Sequence, residues 1–148
     1  MGTTVAFFSE RFQRRTEARR VEAAALNNLI TDLHLARSLA PLTPAVSYVE
    51  PNVDRTYATD AIERFRKEIR ETRLLLRPES TDLFQALVQM SVACNEYMEG
   101  IQNSPEDYQF ELHALREALS EAVSTLGHTK DVEFREPGKG AFNQTSYV

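Results

Sequence analysis

Apolar residues recur at steps of three and four along most of this chain, with polar residues filling the intervals. Val21, Ala25, Leu26, Leu29, Ile30, Leu33, Ala36 and Leu39 make the first such stripe. That is the period of one helix face, not of a strand. The stripe predicts a first helix from about Thr16 to Ala40. With no Gly or Pro intervening, it can reach back to Ser9, a candidate cap. From Ser9 it would run about 47 Å at 1.5 Å per residue. Pro41 and Pro44 stop it. Residues 2–8 are apolar without a period and are expected to fray.

Residues 41–56 read as one long connection, with Val46, Tyr48 and Val49 lying against the fold. A second helix is expected from Tyr57 or Asp60 to Arg77, with the stripe Ala58, Ile62, Phe65, Ile69, Thr72 and Leu76. Asp60 and Glu63 resemble a capping box, and Pro78 disfavours helix at Arg77. The third helix starts after a very short turn, capped by Ser80 or Thr81. Its stripe is Phe84, Leu87, Met90 or Ser91, Cys94, Met98 and Ile101. The fourth opens on Ser104-Pro105-Glu106-Asp107, which supplies a cap, a proline at the first helical position and acids for the helix dipole. Tyr108, Leu112, Leu115, Leu119, Ala122 and Leu126 follow, with Gly127 where a C-terminal cap belongs.

Four stripes joined by short turns predict an all-α fold, an antiparallel four-helix bundle. Helices of about 20 residues span about 30 Å, so the first helix should overhang the others at its N-terminus. The chain therefore divides into a basic, aromatic extension (1–20), a bundle (21–127) and an irregular tail (128–148). The tail is expected to be mostly extended and to pack through Phe134 and Phe142.

Composition adds little beyond an ordinary globular chain. Of 148 residues, 42% are hydrophobic and 26% charged, enough for one domain with a real core. A single cysteine excludes an internal disulfide, and no apolar run approaches a membrane span. A cytoplasmic location is the default expectation, extending to the inner membrane surface if the protein binds lipid. The net charge of −5 disfavours nucleic acid as a partner. Its distribution is uneven. Residues 1–40 hold six arginines against four carboxylates, and the remainder holds 11 basic against 18 acidic residues.

Candidate chemistry is sparse. A dinuclear metal bundle needs Glu-x-x-His, but Thr31, Phe110 and Thr125 stand three places before His34, His113 and His128. No metal, cofactor or catalytic residue is expected. Cys94 lies on a core stripe and reads as a small apolar residue. Pro137-Gly138-Lys139-Gly140 lacks the frame of a phosphate loop, having Glu133 at the first glycine's place, and reads as a turn. Thr145-Ser146-Tyr147-Val148 loosely matches a C-terminal peptide captured by strand addition.

The distinctive stretch is the arginine segment. Arg11, Arg15 and Arg19 share one helix face with Arg14 beside them, and Phe8 and Phe12 occupy a neighbouring face. In the plainest reading these arginines pair with Glu10, Glu17, Glu22 or acids of a neighbouring helix. Guanidinium groups also bind carboxylates in a bidentate manner and never titrate off. Hence Phe8, Arg11, Phe12, Arg14, Arg15 and Arg19 are the candidate partner-binding residues of a non-enzymatic protein-interaction or self-association module. The alternative is a domain held at an anionic membrane surface by the same residues, or one whose membrane anchor preceded the present first residue. A third reading, a small-ligand sensor, would use Asn27, Asn28, Thr72 and Asn95 between helices.

Overall fold

The computed structural model describes residues 2–40 and 51–141, with side chains from residue 10 of the first helix and from residue 52 of the second. The fold is all-α. Among the described residues four α-helices follow in order: α1 (Gly2–His34), α2 (Pro51–Leu74), α3 (Thr81–Asn103) and α4 (Tyr108–Leu126). Short 3₁₀ turns at Arg37–Leu39 and Pro105–Asp107 precede the connection to α2 and the start of α4. No strand occurs among the described residues.

Contacts at named residues give the helix directions. Thr59 near the start of α2 meets Tyr97 late in α3 at 3.5 Å, whereas Arg73 at the end of α2 lies over the Phe84 ring at the start of α3. Those two helices run in opposite directions. Glu22 of α1 meets Arg77 just beyond α2, and Asp32, ten residues on, bonds Glu68. So α1 also runs against α2. The core joins Leu26, Leu29, Ile30 and Leu33 of α1 to Ile62, Phe65 and Ile69 of α2. Leu87, Met90, Cys94 and Tyr97 of α3 and Leu115, Leu119, Val123 and Leu126 of α4 complete it.

Several boundaries differ from the sequence expectation. Helix α1 starts at Gly2 and passes through Ser9, which is therefore not a cap. It ends at His34, six residues short of Ala40, because Ala36 is extended (φ −73°, ψ 115°) and Leu39 reaches the core from a 3₁₀ turn. Helix α2 starts at Pro51, well before Tyr57. Proline with its fixed φ belongs at a first helical position, and Asp54 supplies the acid of that turn. Asp60 is accordingly mid-helix and caps nothing. Helix α2 also stops at Leu74 instead of Arg77.

The α3 stripe holds at Leu87, Met90 and Cys94, with Met98 and Ile101 packed against the core, but its first position is one residue off the expected line. Leu83 is buried and Phe84 is 44% exposed, held against the Arg73 guanidinium; Ala86, Ala93 and Tyr97 join the core. Ser80 stands at the N-cap position but makes no capping bond. Gly127 is right-handed (φ −68°) and does not cap α4 with a left-handed turn. Its use is space, since a Cβ there would stand 2.9 Å from the Phe134 Cβ.

The tail docks, but not through Phe134, which is 48% exposed. Instead Val132, Pro137, Gly138, Gly140 and Ala141 are buried. The Asn27 amide donates to the Asp131 carbonyl at 2.8 Å and accepts from the Glu133 N–H at 2.9 Å. Gly138 and Gly140 donate their N–H groups to the Leu33 and His34 carbonyls at 2.9 and 3.0 Å. The His34 carbonyl ends α1 without a helical donor and the Leu33 carbonyl has only the Ala36 N–H of the following turn at 3.3 Å, so the tail finishes the helix. Phe142, the C-terminal motif 145–148 and the residues Val46, Tyr48 and Val49 lie outside the described residues.

Candidate functional site

Helix α1 leaves the bundle at Glu22. Because its later residues descend beside α2 from Arg77 toward Glu68, residues 2–21 point out past the α2–α3 turn. That projection is on the order of 30 Å. From Glu10 to Val21 every side chain is exposed except Thr16 and Ala18, which are half-buried. Phe12 is 73% exposed. The helical register sets Phe12, Arg15 and Arg19 on one line, with Arg11 at its flank and Arg14 further round. Arg14, Arg15, Arg19 and Arg20 make no ion pair among the described residues. The side chain of Phe8 lies outside the described residues.

Glu22 does not serve the arm's arginines, contrary to the plainest sequence reading. It is 2% exposed and turns inward. One carboxylate oxygen accepts from the Arg77 backbone N–H at 2.7 Å and the Ser80 hydroxyl at 2.8 Å. The other accepts from the Arg77 guanidinium at 3.2 and 3.3 Å. Burial pushes the Glu22 carboxyl up, but these donors together outweigh it and hold the group below its ordinary value. The Ser80 hydroxyl is thus engaged across helices instead of capping α3. A sequence signal existed: Glu22 precedes Leu26, Leu29 and Leu33 at core spacing, where a charge demands a partner.

A second polar contact lies further along the same helix pair. Glu68 of α2 is half-buried and hydrogen-bonds Asp32 of α1. Burial first, then that hydrogen bond and the charges of Asp32 and Glu71, raise the Glu68 carboxyl to about 8. The Glu68 carboxyl therefore keeps its proton at neutral pH.

The other candidates resolve as follows. Cys94 is fully buried and its thiol is pushed up to about 12 by burial, which leaves it inert as a nucleophile. Thr72 is buried and bonds the Glu68 carbonyl, Asn27 holds the tail, and Asn28 and Asn95 are exposed. None of these four lines the cleft of about 600 Å³ at the start of α3, which is bordered by Arg77, Ser80, Gln85, Gln89, Thr125 and His128. Among the described residues no group of three His, Cys, Asp or Glu could hold a metal, and no helix is long and apolar enough to cross a membrane.

The chain matches no protein-family model, no curated protein and no solved structure, so its site is read from its own geometry alone.

Proposed function

We propose that this chain is a non-enzymatic interaction module that engages a partner protein, in the simplest case a second copy, through the projecting part of α1. The observation that carries this reading is the arm itself, with Phe12 and four arginines held in solvent on a helix anchored by a buried carboxylate. A long helix without tertiary cover is marginal in water and gains from any surface that covers it. Arginine and aromatic residues, phenylalanine included, are also enriched at protein interfaces, and arginine is among the side chains that carry most of their binding energy. The anchoring at Glu22 presents them in one orientation, which lowers the ordering cost of binding.

Light scattering over a range of concentrations tests this. The full chain is expected to exceed its 16.8 kDa monomer mass, and the variant R14Q/R15Q/R19Q to stay at it. These are exposed positions, so helix content and melting temperature should hardly change. A full chain that stays monomeric at every concentration removes self-association.

Phe12 beside the arginine line also supports a second reading, attachment to an anionic membrane surface. Cosedimentation with phosphatidylserine vesicles, weakened by salt, would favour it; cosedimentation independent of salt would not.

A further inference from the structure

The arm is basic, and the far end of the same molecule is acidic. Residues 10–21 carry five arginines and two glutamates. At the opposite end the start of α2, the end of α3 and the start of α4 come together. Tyr108 donates to Asp54 at 2.8 Å, Arg55 donates to the Pro105 carbonyl, and Thr59 meets Tyr97. Residues 52–60 and 95–111, which make this end, hold Asp54, Asp60, Glu96, Glu99, Glu106, Asp107 and Glu111 against Arg55 alone. None of the seven carboxylates forms an ion pair among the described residues.

This end is also apolar where it meets solvent. Phe110 is 72%, Tyr57 67% and Val53 41% exposed, and Val92, 48% exposed, lies about one turn back from this end along α3. Val92, Glu96 and Glu99 follow one exposed line on α3 at steps of four and three. On the arm, Phe12, Arg15 and Arg19 follow steps of three and four, so each line offers one apolar side chain and two charges of opposite sign to the other's. The arm points away from its own acidic end. It cannot fold back onto that end without breaking the helix or the Glu22 anchor.

From this complementarity we infer that the acidic, aromatic end of the bundle is the docking surface for the α1 arm of a second copy, head to tail. The inference rests on the arm being an interaction element and adds the surface it meets. Acceptor and donor are different patches at opposite ends, so the contact is heterologous. Opposed charge speeds and selects the encounter, and the aromatic side chains provide desolvated contact at its centre.

Two full-length variants test this. R14Q/R15Q/R19Q neutralises the arm and leaves the acidic end intact. E96Q/E99Q/E106Q neutralises the end and leaves the arm intact. By sedimentation velocity at low salt, wild-type mass should rise with concentration above 16.8 kDa, and each variant alone should stay at one chain. An equimolar mixture of the two variants should form a complex of twice that mass, because it restores one arm and one acceptor. Raising salt toward 1 M, where the Debye length is about 3 Å, should dissociate it. If the end variant associates as wild type does while the arm variant does not, the acceptor is elsewhere: this inference falls and the arm reading stands. If wild type is monomeric throughout, both fall, and binding of the arm to phosphatidylserine vesicles would then identify lipid as its target.

Discussion

Gly138 stands in the left-handed region at φ +77°, and a Cβ there would collide with the Leu39 carbonyl. Both features exclude a side chain, since L-residues resist positive φ and no room is left. Gly138→Ala should therefore cost about 2 kcal/mol or more and loosen the bond from its N–H to Leu33. Hydrogen exchange at residues 138 and 140 would read this as lost protection, with the arm unaffected. Unchanged protection would mean that the tail tolerates a different path. Asp131 also has positive φ (68°), a place where a short polar side chain is tolerated. The turn at 137–140 was legible in the sequence; that it closes the end of α1 was not, because no local pattern ties residue 138 to residue 33.

At the scale of elements, the Glu22 contact joins α1 to the α2–α3 turn. Removing one partner of a buried ion pair leaves the other uncompensated, and Arg77 keeps some solvent contact, which puts the cost near the lower end of the usual range. Glu22→Ala is expected to lose about 3 kcal/mol, or roughly 6–12 °C in melting temperature for a chain of this size. A calorimetric shift below about 2 °C would show the pair to be dispensable. The helices themselves were readable because their stripes are strict. Ile62, Phe65 and Ile69 of α2 and Leu115, Leu119 and Leu126 of α4 are all buried as spaced. Helix ends were read less well, since Pro51 looks like loop punctuation until it is recognised as a first helical residue. On α3 the first stripe position differed, because Leu83 and Phe84 are adjacent and both apolar; Leu83 is buried, and Phe84 lies outside against Arg73, while Leu87, Met90 and Cys94 are buried as spaced. Of the site, the exposed arm was visible from charge spacing, whereas Glu22 was misassigned because its partner lies 55 residues away.

At the scale of the molecule, two carboxyl groups set opposite pH limits on stability. Glu22 is held below its ordinary value of 4.5, so the stability it contributes is present above 4.5 and is lost as pH falls through its folded value. Glu68 is raised to about 8, so folding takes up a proton between 4.5 and about 8 and stability falls as pH rises through that window. Acting together, these groups place the optimum near pH 5. Urea midpoints at pH 3, 5, 7 and 9 should trace that dome, and Glu68→Gln should flatten its alkaline side while leaving the acid side alone. An alkaline limb that survives in the variant would assign the loss to other groups.

The tail's bonds to Asn27 and His34 join residues 102 to 106 positions apart. Synthesis makes α1 before α2, α3, α4 and the segment that terminates it. Until residues 138–140 exist, the His34 carbonyl lacks its tail donor and the Leu33 carbonyl has only the Ala36 N–H of the following turn, and the loop joining the two segments cannot close. The C-terminal end of native α1 is thus closed only after α2, α3 and α4 have been made, by a long-range contact and not by a local cap.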